Sequence, residues 1–102
     1  MKKILIPLCL LIVSLNAAAI SGNKLLSACD DYSIAKGTFE QGFCLGMVTG
    51  VAYVSSKICV PTGVTNKQHV LIVEKWFKDN PQELHIDAYY LAEKALSKAW
   101  PC

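Results

Sequence analysis

Gly42, Gly46 and Gly50 recur every fourth residue inside the apolar run Gly42-Phe43-Cys44-Leu45-Gly46-Met47-Val48-Thr49-Gly50-Val51. Residues four apart share one face of a helix, so on a helix the three glycines form a smooth ridge against which another backbone can lie closely. Glycine costs up to about 1 kcal/mol relative to alanine in a helix interior. Three in register lead to the expectation that close packing inside the fold offsets that cost. The placement of Cys44 within the ridge points the same way: a disulfide there would hold a neighbouring helix against it.

The number of available cysteines depends on the first nineteen residues. Lys2 and Lys3 precede an apolar stretch from Ile4 to Leu15, and Ala17-Ala18-Ala19 follows with small residues at the right spacing. This is the pattern of a secretory signal peptide cleaved after Ala19. The apolar stretch is shorter than the roughly 20 residues needed to span a bilayer. Residues 1–19 are therefore expected to be the leader and residues 20–102 one mature domain, with no stable membrane insertion after cleavage. The chain carries ten lysines, no arginine and eight acids. Losing Lys2 and Lys3 brings the charge near zero, so the positive balance is no evidence of nucleic-acid binding. The missing arginine argues further against phosphate recognition.

Cys9 leaves with the leader. Cys29, Cys44, Cys59 and Cys102 remain, an even number in an oxidising compartment, which predicts two disulfides. A domain of this size buries only about 60–65% of its unfolded surface, so such staples matter. If the glycine-bearing helix is continuous, Cys44 and Cys59 lie roughly 20 Å or more apart at 1.5 Å per residue, beyond the reach of a bridge. Two pairings survive. Cys29–Cys44 with Cys59–Cys102 is favoured, and the crossed pairing stays open.

The remaining pattern is helical. Ser21 to Asp31 reads as a short helix with Leu25, Leu26 and Cys29 on one side, followed by a turn from Asp30 to Gly37. A second helix runs from Thr38 to about Lys57, with Phe39, Phe43, Val51 and Val54 as its apolar bulk. Cys59-Val60-Pro61-Thr62-Gly63 is a loop. Thr65 and Gln68 form a Thr-x-x-Gln capping box for a third helix whose Val70, Val73 and Phe77 share a face and which Asn80-Pro81 ends. A fourth helix runs from about Ile86 to Ala99, capped by Asp87, with Ala88, Leu91, Ala92, Ala95, Leu96 and Ala99 as its buried stripe. No alternating strand pattern occurs. The expected fold is all-α: a compact bundle of about four helices with two disulfides.

Catalytic chemistry is hard to place. A cysteine nucleophile would need His69 or His85 as its base, yet all four mature cysteines are better explained as paired. Close metal-ligand spacings such as C-x-x-C are lacking, and His85 with Asp87 reads as a solvated helix entrance. Glu74, Glu83 and Glu93 read as surface charges. No catalytic residue, metal or cofactor is expected. Lys67, Lys75 and Lys78 accompany Trp76 and Asp79 on the third helix, either as a protein-binding face with an aromatic anchor or as an ordinary amphipathic helix, and the residues alone favour the latter.

Several landmarks occur in a fixed order. Phe43-Cys44-Leu45-Gly46-Met47-Val48-Thr49-Gly50-Val51 is followed by Cys59-Val60-Pro61-Thr62-Gly63-Val64-Thr65. Then come Val70 to Phe77, Asn80-Pro81 and His85, and finally Ala95-Leu96 and Ala99-Trp100-Pro101-Cys102. In this order they resemble the Tai-type family of bacterial amidase-immunity proteins, from Leu25 to the end of the chain. Asn80 before Pro81 and Trp100 before Pro101-Cys102 are modest departures. The resemblance implies a small helical periplasmic protein, often a homodimer, that binds and blocks a peptidoglycan amidase delivered by type VI secretion and has no catalysis of its own. Lys75, Trp76, Lys78, Asp79 and Glu83, on the third helix and its following loop, are the candidate partner-binding residues. The competing readings are a periplasmic stress chaperone and a structural helical domain without a toxin partner.

Overall fold

The computed structural model describes residues 20–30 and 37–102. The expected leader and most of the expected turn between the first two helices lie outside the described residues. Four α-helices follow in order: α1 (Gly22–Asp30), α2 (Phe39–Val54), α3 (Asn66–Asp79) and α4 (Ala88–Ala99), with a 3-10 turn at Pro81–Glu83 between the last two. No strand occurs among the described residues, only two isolated bridges, Ser21 with Asp87 and Ile58 with Pro101. The all-α bundle expected from the sequence is the fold.

Capping side chains set the helix starts. Thr38 Oγ1 accepts from the Gln41 amide at 3.0 Å, and Gln41 Oε1 accepts from the Gly37 amide at 2.7 Å. At α3 the capping box forms as read: Gln68 N donates to Thr65 Oγ1 at 3.2 Å and Thr65 N to Gln68 Oε1 at 2.8 Å. Asp87 caps α4 by accepting from Tyr90 N at 3.0 Å. Each cap satisfies an amide that has no partner within its helix. α2 ends three residues earlier than expected. Ser55 turns extended, and its hydroxyl donates to Glu93 Oε2 at 2.6 Å while accepting from Lys57 N at 3.1 Å. A serine that bonds α4 and its own neighbour competes with continued helix.

The core lies where all four helices meet. Leu25, Val48, Val70, Val73, Phe77, Leu91 and Leu96 are essentially inaccessible. α4 contributes Ala88, Ala92 and Ala95, whose small side chains let neighbouring helices approach; Ala99 is exposed. Both favoured disulfides are present, Cys29–Cys44 joining α1 to α2 and Cys59–Cys102 joining the loop after α2 to the chain end, each with Cα atoms 5.0 Å apart. The chain end is held further by Cys59 N donating to Trp100 O at 2.9 Å.

The glycine ridge does not do what was expected of it. Gly42, Gly46 and Gly50 are exposed, and a Cβ built on any of them would meet nothing within 4 Å among the described residues. Cys44 points into the core on the opposite side of α2, so the disulfide staples α1 to the other face. Phe39 and Val54, expected to supply apolar bulk, are 78% and 75% exposed. The glycine that is closely packed is Gly22, at the start of α1. A Cβ there would lie 2.6 Å from Leu91 Cδ1 and 3.1 Å from the Leu84 carbonyl oxygen. Gly22 N donates to Ile86 O and Asn23 N to Leu84 O, both at 2.8 Å, and Ala88 N to Ile20 O at 2.7 Å. The segment entering α1 thus lies flat against the segment entering α4.

Candidate partner-binding surface

α3 buries His69, Val70, Val73 and Phe77 and turns the remainder outward. On its outer side Lys75 Nζ lies 2.9 Å from Asp79 Oδ2. Lys78 Nζ lies 3.2 Å from Glu74 Oε2 and 3.5 Å from Asp30 Oδ1, which ties α3 to α1. Two open grooves flank this row. One, of about 400 Å³, is lined by Leu71, Glu74, Lys75, Lys78 and Asp79. The other, of about 260 Å³, has Ile72, Trp76, Ala95 and Ala99 along its floor with Lys75, Asp79 and Lys98 around it.

Trp76 is half-buried, edge-on to Phe77 at 6.1 Å between ring centroids. Lys94 Nζ of α4 sits 5.6 Å from the centre of its ring and 2.9 Å from Glu83 Oε1. The five residues singled out from the sequence therefore form one continuous belt, with Glu83 joined to Trp76 through Lys94. Lys94 itself was not foreseen, because it lies eleven positions from Glu83 and only the α3–α4 packing brings it there. Leu71, 46% exposed, lies beside the row in the first groove. The aspartate-capped entrance of α4 and His85 are exposed, as expected.

The charges of the belt are mutually supported. Glu83 beside Lys94 raises the lysine above its ordinary value, chiefly through their hydrogen bond. Glu74 does the same for Lys78. Burial pushes the Glu74 carboxyl up, the neighbouring Asp30 carboxyl adds to this, and Lys78 pulls it back down. The surface offers alternating, paired charge around a half-covered indole, an arrangement suited to holding a protein surface in register and lacking any aligned nucleophile and base. All four described cysteines are bridged. His69 is fully buried between the rings of Tyr53 and Trp100, at 5.8 and 5.5 Å and nearly perpendicular to both. Among the described residues no group of three or more His, Cys, Asp or Glu side chains is placed to hold a metal ion.

A family model described as Rap1a immunity proteins matches residues 21–102, which is every element of the helical domain. The chain belongs to the Rap1a immunity protein family. No curated protein and no solved structure matches it. The function of a Rap1a immunity protein is to bind a partner, a secreted effector, which is a task for surface chemistry. The family resemblance expected from the sequence is thus met at the level of immunity proteins, and its residues span both disulfides.

Proposed function

We propose that this Rap1a immunity protein is of the Tai type: a periplasmic homodimer, secreted by removal of residues 1–19, that binds and blocks a peptidoglycan amidase delivered by type VI secretion. The observation that carries the reading is the family match over residues 21–102. Two disulfides in a small domain suit an oxidising compartment, the place where protection against a wall hydrolase is needed. The effector is engaged by the belt of Lys75, Trp76, Lys78, Asp79 and Glu83, with Trp76 as the aromatic anchor. Interface energy concentrates in such anchors, while rim charges set register and association rate.

The test is co-purification with the product of the adjacent open reading frame, together with a peptidoglycan-cleavage assay of that product. One-to-one binding per protomer and loss of cleavage are expected; absence of both would refute the reading. The belt is tested by the paired reversal Lys75→Glu with Asp79→Lys. This keeps the i,i+4 ion pair, in its better orientation, and so leaves the helix intact. It inverts the charge presented to the effector, and affinity is expected to fall about tenfold or more.

A further inference from the structure

α2 has two faces. One carries Cys44, Val48, Val51 and Ala52 into the core. The opposite face holds Phe39, Gly42, Gly46, Gly50 and Tyr53, which at 100° per residue all fall within about 40° of the Gly46 direction, with Phe43 and Thr49 beside them. Phe39 and Tyr53 are 78% and 69% exposed, and no described residue lies where a Cβ on any of the three glycines would reach it. A solvent-facing helix stripe is ordinarily charged. This one carries no charge; Glu40, the single charged residue of α2, lies well round the helix from it. Three of the poorest helix formers pack against no other element among the described residues, and large apolar rings flank them at both ends.

The order of the stripe is palindromic. Steps of three, four, four and three residues lead from Phe39 to Gly42, Gly46, Gly50 and Tyr53, and read the same in either direction about Gly46. An interface related by a two-fold axis must be self-complementary in this sense, residue i meeting j and j meeting i. An axis through Gly46 that sets two α2 helices antiparallel brings Gly46 onto Gly46, Gly42 onto Gly50 of the second copy, and Phe39 onto Tyr53 of the second copy. The bare backbones meet at the centre, and the rings close both ends. Thr49 adds no desolvation penalty, since its hydroxyl already donates to Leu45 O at 2.6 Å. With no charge in the stripe, pairing it with itself opposes no like charges.

A receptor for the terminal ring is present. A groove of about 250 Å³ between α1 and the start of α2 is lined by Ile20, Lys24, Ala28, Phe39, Glu40 and Phe43. It is smaller than the roughly 300–1,000 Å³ usual for a small-molecule site and suits one side chain. Phe39 and Phe43 form its wall, with ring centroids 6.2 Å apart and planes 18° apart, and Lys24 and Glu40 offer polar groups to a phenol. No helix among the described residues is long and apolar enough to cross a membrane.

We propose that the Gly42–Gly46–Gly50 face of α2 is a self-association surface, on which a second copy of this chain docks antiparallel with Gly46 on the two-fold axis and Tyr53 of each copy in the α1–α2 groove of the other. The inference rests on the homodimer reading above and assigns it a surface and a register, leaving the α3 belt clear for the effector.

Sedimentation of the disulfide-bonded protein over a concentration series is the test, with Gly46→Lys as the variant. Because position 46 is open and lysine is a good helix former, the variant keeps its circular dichroism, while two ammonium groups now face each other across the axis. A dimeric wild type and a variant whose dissociation constant rises about tenfold or more are expected. The variant Gly46→Cys provides an independent measure, since it is expected to oxidise to a covalent dimer where Lys67→Cys does not. A wild type that stays monomeric would overturn both the surface and the homodimer. A dimer that neither variant alters would overturn the surface alone. A monomeric wild type whose Gly46→Lys variant loses amidase inhibition would assign the face to the effector and likewise overturn the proposal.

Discussion

At the scale of single residues, His69 is the least conventional choice in the core. Its ring is fully buried, both nitrogens lack a hydrogen-bond partner among the described residues, and Tyr53 and Trp100 meet it edge-on. Burial disfavours the charged imidazolium and lowers its pKa below the ordinary 6.5. The unfolded chain binds this proton more readily than the folded one. Stability should therefore be unaffected by His69 above about pH 7.5 and decline as pH falls through 6.5, by up to about 1.4 kcal/mol per pH unit, until the folded pKa is passed. Urea unfolding of the wild type and of His69→Phe between about pH 7.5 and 5 checks this. The variant should have the shallower slope, and equal slopes would show that His69 contributes none. Nothing in the sequence marked this histidine as buried. It stands at the fourth position of a capped helix beside Gln68 and Val70, and its enclosure comes from Tyr53 and Trp100, residues distant in the chain.

At the scale of elements, helix identity and the caps at Thr65 and Asp87 were readable because they depend on residues within one turn. The faces were readable on α3 and α4, where apolar and charged residues alternate at helical spacing. α2 lacks that contrast. It is apolar all round with one acid, so its sequence says that it is a helix without saying which side is inward. The two kinds of glycine make the consequence measurable. Gly22→Ala would drive a Cβ into Leu91 and the Leu84 carbonyl and should cost about 1–3 kcal/mol. Gly46→Ala meets open space and should instead stabilise the protomer by up to about 1 kcal/mol. Chemical denaturation at high dilution, where protomers are separate, would expose any departure from these opposite signs.

At the scale of the whole molecule, the two disulfides divide the work of holding a small core together. Their loops span 15 and 43 residues, worth about 3 and 4 kcal/mol in the chain-entropy account. Cys29 and Cys44 are buried, at 1% and 0% exposure, whereas Cys59 and Cys102 are exposed. Graded reduction followed by alkylation and peptide mapping should label Cys59 and Cys102 first. Release of Cys29 and Cys44 should come only with loss of helical signal. Labelling of all four together would mean that the bundle opens before the outer bridge yields. The candidate effector belt belongs to this scale as well, since Trp76 and Glu83 become one surface only through Lys94.

The sequence by itself determined the helical class, the element order, the caps and the preferred disulfide framework, because these follow from local chemistry and from the reach of a chain of fixed length. Its family landmarks also led to an immunity protein. Only the tertiary structure decided which faces are buried. It placed the close-packed glycine at Gly22 and left Gly42, Gly46 and Gly50 open, and it enclosed His69. Periodicity reports that residues share a side, but the inward side is chosen by what else the chain has available to cover it.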